Sequence, residues 1–223
     1  MILVVGGGRR IGKALVDSYS KTDKVLFTYY SSEGRRTSKT KSIRLDLRDV
    51  SAIREFCASL KNRSISTLLY VASTFDSVRF GETTEAEWND LIDVNLKAAY
   101  FLCEAIRPKL MRNSNIQFFN DVLLPGYRPE KIPYAVAKGG LSILMQILAR
   151  SWAPEIRVNE IGIGYALPPT GTSRAEQKEW LKQIPLGRFS GVEPIVAASH
   201  FLTEQTYVTG ARLNVDGGLS MTR

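Results

Sequence analysis

Tyr134 and Lys138 stand four residues apart in Tyr134-Ala-Val-Ala-Lys138, a spacing that puts both side chains on one face of a helix. An ammonium beside a phenol stabilises the phenolate and lowers the phenol's pKa. A tyrosine poised that way is a proton donor suited to neutral pH. A Tyr-x-x-x-Lys pair is common and by itself carries no function. Here it follows the apolar run Asn115–Asn120, in a chain that opens on a glycine loop, and that setting makes it specific.

The loop is Gly6-Gly7-Gly8-Arg9-Arg10-Ile11-Gly12, between an apolar run and a helical pattern. Glycines let a backbone approach a pyrophosphate, and a helix N-terminus favours negative charge. The alternative is a tight turn without a ligand. The strand–loop–helix context and the two arginines favour the dinucleotide, with Gly6, Arg9, Arg10, Ile11 and Gly12 at the cofactor. An NAD site places an acidic residue at the end of the second strand, roughly 20 residues past the loop. That strand ends at Tyr30, Ser31 and Ser32, and Glu33 lies inside the following turn. Arg9, Arg10, Arg35 and Arg36 are available to pair with a 2′-phosphate, so NADPH is expected rather than NADH. Asp46 and Leu47 end the third strand, placed to frame an adenine.

The elements that must carry these groups follow from hydrophobic periodicity. Strands are expected at Ile2–Val5, Val25–Tyr30, Ser42–Leu45, Thr67–Val71, Asn115–Asn120, Ile156–Ile161 and Ala211–Val215. Helices are expected at Gly12–Lys21, Val50–Lys61, Glu85–Met111, Pro133–Ala153 (with Pro in its first turn) and Glu193–Leu202. The stretch from Gly162 to Pro185, rich in Gly, Pro and Thr, reads as a mobile substrate loop. Alternating strands and helices mean an α/β fold: one doubly wound Rossmann domain over residues 1–223, with a parallel sheet of about seven strands and helices on both faces.

Bulk properties agree. A chain of 223 residues with 44% apolar and 23% charged residues suits one folded domain rather than a disordered or membrane protein. Cys57 and Cys103, the two cysteines, form no Cys-x-x-Cys and indicate neither a disulfide framework nor a metal site. They read as buried small hydrophobes. Ile2–Val5 is too short for a signal segment and runs into glycines, so a cytoplasmic protein is expected. The net charge of +8 is either a solvated basic surface or an attraction for an anionic ligand such as a dinucleotide. Without a long basic tract, nucleic acid is not an expected partner, nor is a membrane. His200, alone among apolar residues, reads as structural.

From Gly6–Gly12 through Asn95, Tyr134 and Lys138 to Val208-Thr-Gly210 and Val215-Asp-Gly-Gly218, essentially the whole chain resembles the short-chain dehydrogenases/reductases. The resemblance implies that Asn95 holds a water relay to Lys138, and that Lys138 binds the nicotinamide ribose. It completes the cofactor set with Ala72, Gly164, Tyr134 and Lys138. Most members have Ser about thirteen positions before the Tyr, where this chain has Asp121. Most have Gly where Arg10 stands. Both departures resemble the pteridine reductases and dihydromonapterin reductases. Ala72-Ser73-Thr74-Phe75, Tyr207-Val-Thr-Gly210 and the final Ser220-Met-Thr-Arg223 resemble the same branch, although the family usually has Asn where Val71 stands.

That branch implies an NADPH-dependent reductase of a dihydropteridine or folate, with Asn95, Asp121, Tyr134 and Lys138 catalytic. Arg10, Ser73, Phe75, Asp121, Tyr134 and Tyr165 would meet the substrate. Phe75 would stack on the pterin. Tyr165 and Trp180 either wall the pocket or pack the loop down. The resemblance also implies a homotetramer, with the Glu85–Met111 and Pro133–Ala153 helices between subunits and Arg223 near a neighbouring site. Three alternatives remain: a 3-oxoacyl thioester or other ketone reductase, a non-catalytic NADPH-binding sensor or scaffold, and, as a weak reading, nucleic-acid binding through the basic surface.

Overall fold

The computed structural model describes residues 1–34, 37–122, 129–168 and 171–221. Arg35, Arg36 and Arg223, expected at the cofactor phosphate and a neighbouring site, lie outside them.

Ile2–Val5 (β1) is apolar and buried at all four positions, the mark of a strand covered on both faces. With Val25–Tyr29 (β2), Thr40–Arg44 (β3), Ile65–Tyr70 (β4), Leu110–Asp121 (β5), Ile156–Ile163 (β6) and Arg212–Val215 (β7) it forms a seven-stranded sheet, ordered β3-β2-β1-β4-β5-β6-β7. Every neighbouring pair is parallel. Successive side chains of a strand point to opposite faces, and β1 shows the result. Leu3 and Val5 enter a core shared with Val50–Ser59 (α2), Ala98–Ile106 (α4) and Ile132–Trp152 (α5). Ile2 and Val4 enter the opposite core, with Arg10–Tyr19 (α1) and Glu193–Glu204 (α7). After β1 the chain winds out to β2 and β3, then returns to place β4 against the other side of β1. That reversal opens a crevice at the carboxyl ends of β1 and β4.

Two expectations fail, each for a local reason. The helix expected over Glu85–Met111 is broken. Glu85–Ile92 (α3) starts on a Thr84–Glu87 capping box, passes through a wide π-turn at Asp93–Lys97, and continues as α4. A tight turn at Arg107–Lys109 then hands the chain to β5 at Leu110. Pro108 is the cause, since it removes a helix donor and clashes with the preceding turn. β5 therefore begins well before Asn115 and takes Met111 into the sheet.

The second is the mobile loop expected over residues 162–185. β6 extends to Ile163, and Arg174–Leu181 (α6) is a helix, capped by reciprocal Ser173 and Glu176 bonds. Ser173-x-x-Glu176 is the sequence signature of that start. The remaining element ends differ from expectation by a few residues.

α5 is long and apolar enough in composition to cross a membrane, but its inner face packs Leu141, Met145 and Ala149 into the sheet core and buries Lys138. Its outer face leaves Val136, Ile143 and Ile147 exposed.

Candidate active site

The glycine loop is shaped by close approach. Gly6 holds φ 90°, and a Cβ there would sit 2.7 Å from the Ala72 main chain. A Cβ on Gly12 would meet the Gly6 carbonyl oxygen at 2.0 Å. α1 starts within the loop, at Arg10, with no side-chain cap and no acidic residue in its first turn, which leaves its first amides to an anion. The loop borders a cleft of about 680 Å³. Gly6, Arg9, Arg10, Ile11, Gly12, Ser31, Ser32, Leu47 and Ala72, all expected at the cofactor, line it together. A glycine cradle that side chains would fill, an open helix N-terminus and basic residues at the rim fit a dinucleotide.

Four expected cofactor residues are not in that lining: Tyr134 and Lys138, described below, and Asp46 and Gly164. Asp46 turns its carboxylate onto Arg48, accepting from the Arg48 amide at 3.0 Å and pairing with its guanidinium at 3.4 Å. Gly164 bonds to the Val215 carbonyl at 3.2 Å and lies against Asp216.

Tyr30 and Arg48 line the cleft but were outside the expected set. The Arg44 and Arg48 guanidinium groups lie 5.5 and 5.3 Å from the Tyr30 ring centroid. Arg48 is further held by Asp90 at 2.7 Å. The available signal was the Leu45-Asp-Leu-Arg48 run at the end of β3, which puts a cation next to the expected adenine residues.

At the other end of the cleft, residues far apart in sequence meet. Asn95 lies fully buried in the π-turn, and such turns recur at functional sites. Its Nδ2 donates to Thr74 O and Leu91 O, both at 2.9 Å, and to Thr74 Oγ1 at 3.1 Å. Its Oδ1 accepts from Ser73 Oγ at 2.7 Å. Asn95 thus anchors the segment after β4 and holds Ser73 near the Tyr134 phenol, whose pKa Ser73 lowers against the larger effect of burial. Phe75, half exposed, meets the Tyr134 ring edge-on with centroids 4.8 Å apart. Lys131 Nζ sits 3.6 Å from the Phe75 ring centroid, and burial lowers its pKa.

Asp121 ends β5, and its Oδ2 lies 3.5 Å from the Tyr134 hydroxyl in the first turn of α5. The two elements are tied by Asn120 Nδ2, which donates to Lys138 O and Ser142 Oγ, each at 2.9 Å. The structure therefore brings together Ser73, Phe75, Asn95, Asp121 and Tyr134, with Lys138 one turn further along α5.

One expectation about this group is corrected. Tyr-Lys spacing suggested a phenol with a lowered pKa. Instead burial raises it, and the Asp121 carboxylate raises it further. The reason is geometric. Lys138 Nζ donates to Phe119 O at 3.1 Å and lies 5.9 Å from the Tyr134 ring centroid. Burial pushes Lys138 itself down to about 8, against the opposing charges of Asp121 and Glu160. Tyr134 therefore keeps its proton at neutral pH.

Arg10 holds the left-handed value φ 49°, and its guanidinium donates to Leu167 O at 3.3 Å. That bond joins the glycine loop to the segment after β6. Tyr165 stacks on Trp180 of α6 (centroids 5.6 Å apart, planes 20° apart) and packs with Val122 and Leu219. Of the two roles open to Tyr165 and Trp180, the stack is the one that holds α6 down. His200 stacks on Tyr19 at 4.2 Å and hydrogen-bonds Ser18 at 2.9 Å, away from the cleft. Both cysteines are buried, and burial pushes each thiol up to about 12.

A family model described as enoyl-(acyl carrier protein) reductase matches residues 8–220. Among curated relatives, the chain is 28% identical to the 3-oxoacyl-[acyl-carrier-protein] reductase of Salmonella typhimurium, over 98% of this chain and 96% of that protein. It is 26% identical to the dihydromonapterin reductase of Enterobacter sp., over 97% of this chain and 95% of that protein. A crystal structure from Brucella melitensis, described as a short-chain dehydrogenase/reductase of the glucose/ribitol dehydrogenase kind, aligns with a TM-score of 0.89. The alignment covers 98% of this chain and 96% of that one at 24% identity, a likeness of fold.

Proposed function

Because the chain belongs to the short-chain dehydrogenase/reductase family and is an oxidoreductase of that family, we propose that it reduces a dihydropteridine to the tetrahydro form with NADPH. Dihydromonapterin, dihydrobiopterin and a dihydrofolate-like molecule are the candidate substrates. The observation that carries the proposal is the Asp121 carboxylate, 3.5 Å from the Tyr134 hydroxyl. A negative charge there opposes an alkoxide developing on a ketone oxygen. Beside a ring nitrogen it instead helps move a proton.

Gly6, Gly12 and the first turn of α1 would hold the pyrophosphate, and Arg9 and Arg10 the 2′-phosphate side. Bound there, the cofactor supplies a hydride. Tyr134 holds the proton delivered to the neighbouring ring nitrogen, and Asp121 relays a replacement proton taken from solvent, directly or through water. Lys138 places a positive charge behind the phenol. Ser73 and Phe75, anchored through Asn95, orient a flat ring rich in donors and acceptors, and Arg10 addresses its carbonyl oxygen. The same reading makes residues 1–223 one domain, in a cytoplasmic homotetramer that buries the outer faces of α4 and α5.

The second reading, a 3-oxoacyl thioester reductase, draws on the Salmonella relative at 28% identity. The test is NADPH consumption against dihydromonapterin, dihydrobiopterin, dihydrofolate and an acetoacetyl thioester. Turnover on a pterin that is lost in Tyr134→Phe supports the proposal. Turnover on the thioester alone replaces it with the second reading. NADPH binding without turnover on any of them leaves a sensor.

A further inference from the structure

Beneath the site lies a carboxylate that no step above uses. Glu160 of β6 is fully buried. Its Oε2 accepts from Ser142 Oγ at 2.7 Å, and its Oε1 lies 3.3 Å from Arg212 Nη1, an ion-pair contact whose geometry makes no hydrogen bond. Glu160 and Arg212 are opposed in the register of β6 and β7. The guanidinium does not stop at β6. Its Nη2 donates to the Asp121 main-chain carbonyl at 2.6 Å, and its Nε donates to Asn214 Oδ1 at 3.2 Å. One side chain on β7 thus crosses β6 and grips the end of β5.

Its passage is a glycine. A Cβ on Gly162 would lie 2.9 Å from Arg212 Nε and 2.4 Å from Asn214 Oδ1. On the helix side, Ser142 also accepts from Asn120 Nδ2, which donates to the Lys138 carbonyl as well. The network therefore reaches the main chain of both Asp121 and Lys138.

Burial of the Glu160 carboxylate carries a desolvation cost, and its partner Arg212 keeps a third of its side chain exposed, so the pair is a poor device for stability alone. Its value here is one of position. We propose that Glu160 and Arg212 form a positioning pair that aims the Asp121 carboxylate at Tyr134: Glu160 fixes the fork, and the fork fixes the end of β5. Neither residue touches the reacting groups. The functional part of this inference rests on the assignment of Asp121 to the proton chemistry, and its structural part requires no substrate.

Two variants test it. Glu160→Gln with Arg212→Met removes both charges together and leaves no unpaired buried charge. Gly162→Ala keeps both charges and obstructs the path of the guanidinium. Crystal structures of both are expected to show Asp121 Oδ2 out of hydrogen-bond reach of the Tyr134 hydroxyl. Pterin kcat is expected to fall about 100-fold, as for a reacting group misplaced by ~1 Å, with NADPH affinity unchanged in a fluorescence titration. A carboxylate that keeps its place in both variants overturns the proposal. So does a parallel loss of kcat, NADPH affinity and melting temperature, which marks a structural strut. If the wild type reduces no pterin, the functional reading fails while the crystal structures still decide whether the pair positions Asp121.

Discussion

The Tyr134 hydroxyl and the Asp121 carboxylate face each other at 3.5 Å across the ends of α5 and β5, and that carboxylate, second to burial, holds the phenol's proton in place. Asp121→Asn keeps the shape and removes the charge. Its expected effect is a fall of about 100-fold or more in pterin kcat, the scale of a lost acid–base group. NADPH affinity is expected to hold, because the proposed function gives Asp121 a part in proton transfer and none in holding the dinucleotide. Steady-state kinetics beside a fluorescence titration of NADPH checks both.

Lys138 links pH to activity and stability with opposite signs. Burial pushes its pKa down to about 8, well below the unfolded value of about 10.4. Below about 8 the native ammonium is charged, the form that the proposed function requires. Above it that form is lost, so kcat/KM is expected to fall with a midpoint near 8 in the free enzyme. Between the folded and unfolded values the unfolded chain binds more protons, so this residue's contribution to stability rises with pH. A pH–rate profile and melting curves over the same range read the two trends, and Lys138→Met should abolish both.

Arg10 occupies a left-handed conformation, φ 49°, that costs a residue with a Cβ about 1 kcal/mol. Arg10→Gly relieves it but removes the guanidinium that reaches Leu167 and the cleft. The expected outcome is a pterin KM raised at least tenfold, with a denaturation midpoint equal to or above that of the wild type. Equal KM values would remove Arg10 from the substrate site.

Asn95→Ala deletes the anchor of Ser73 and Thr74 and leaves buried partners unsatisfied, a loss of about 1–3 kcal/mol. Chemical denaturation should show that loss. Pterin turnover should fall as well, because Asn95 holds Ser73, which lines the cleft beside Phe75.

Val136, Ile143 and Ile147 form an exposed apolar face on α5, of the kind that marks an association surface. If the proposed tetramer forms, Glu at both 143 and 147 is expected to reduce it to a folded monomer or dimer by sedimentation.

Local pattern alone determined much of this molecule. The four apolar residues of β1, the glycines that follow, and the Tyr-Lys spacing on α5 are decided by neighbours within a turn or a strand, where helix and strand periods are legible. Pro108 and the Ser173–Glu176 cap were equally local, and their misreading came from weighing apolar periodicity and loop composition above them. What only the tertiary structure decided was direction and company. It turned Lys138 Nζ onto Phe119 O rather than the phenol and Asp46 onto Arg48. It brought Ser73, Asn95 and Asp121 around Tyr134, and it passed Arg212 through the gap at Gly162 to reach Asp121. No spacing encodes these meetings. They arise where the packing of separate elements sets which way a side chain points and how much water surrounds it, and that burial moves the pKa of Tyr134 and Lys138 further than their sequence neighbours do.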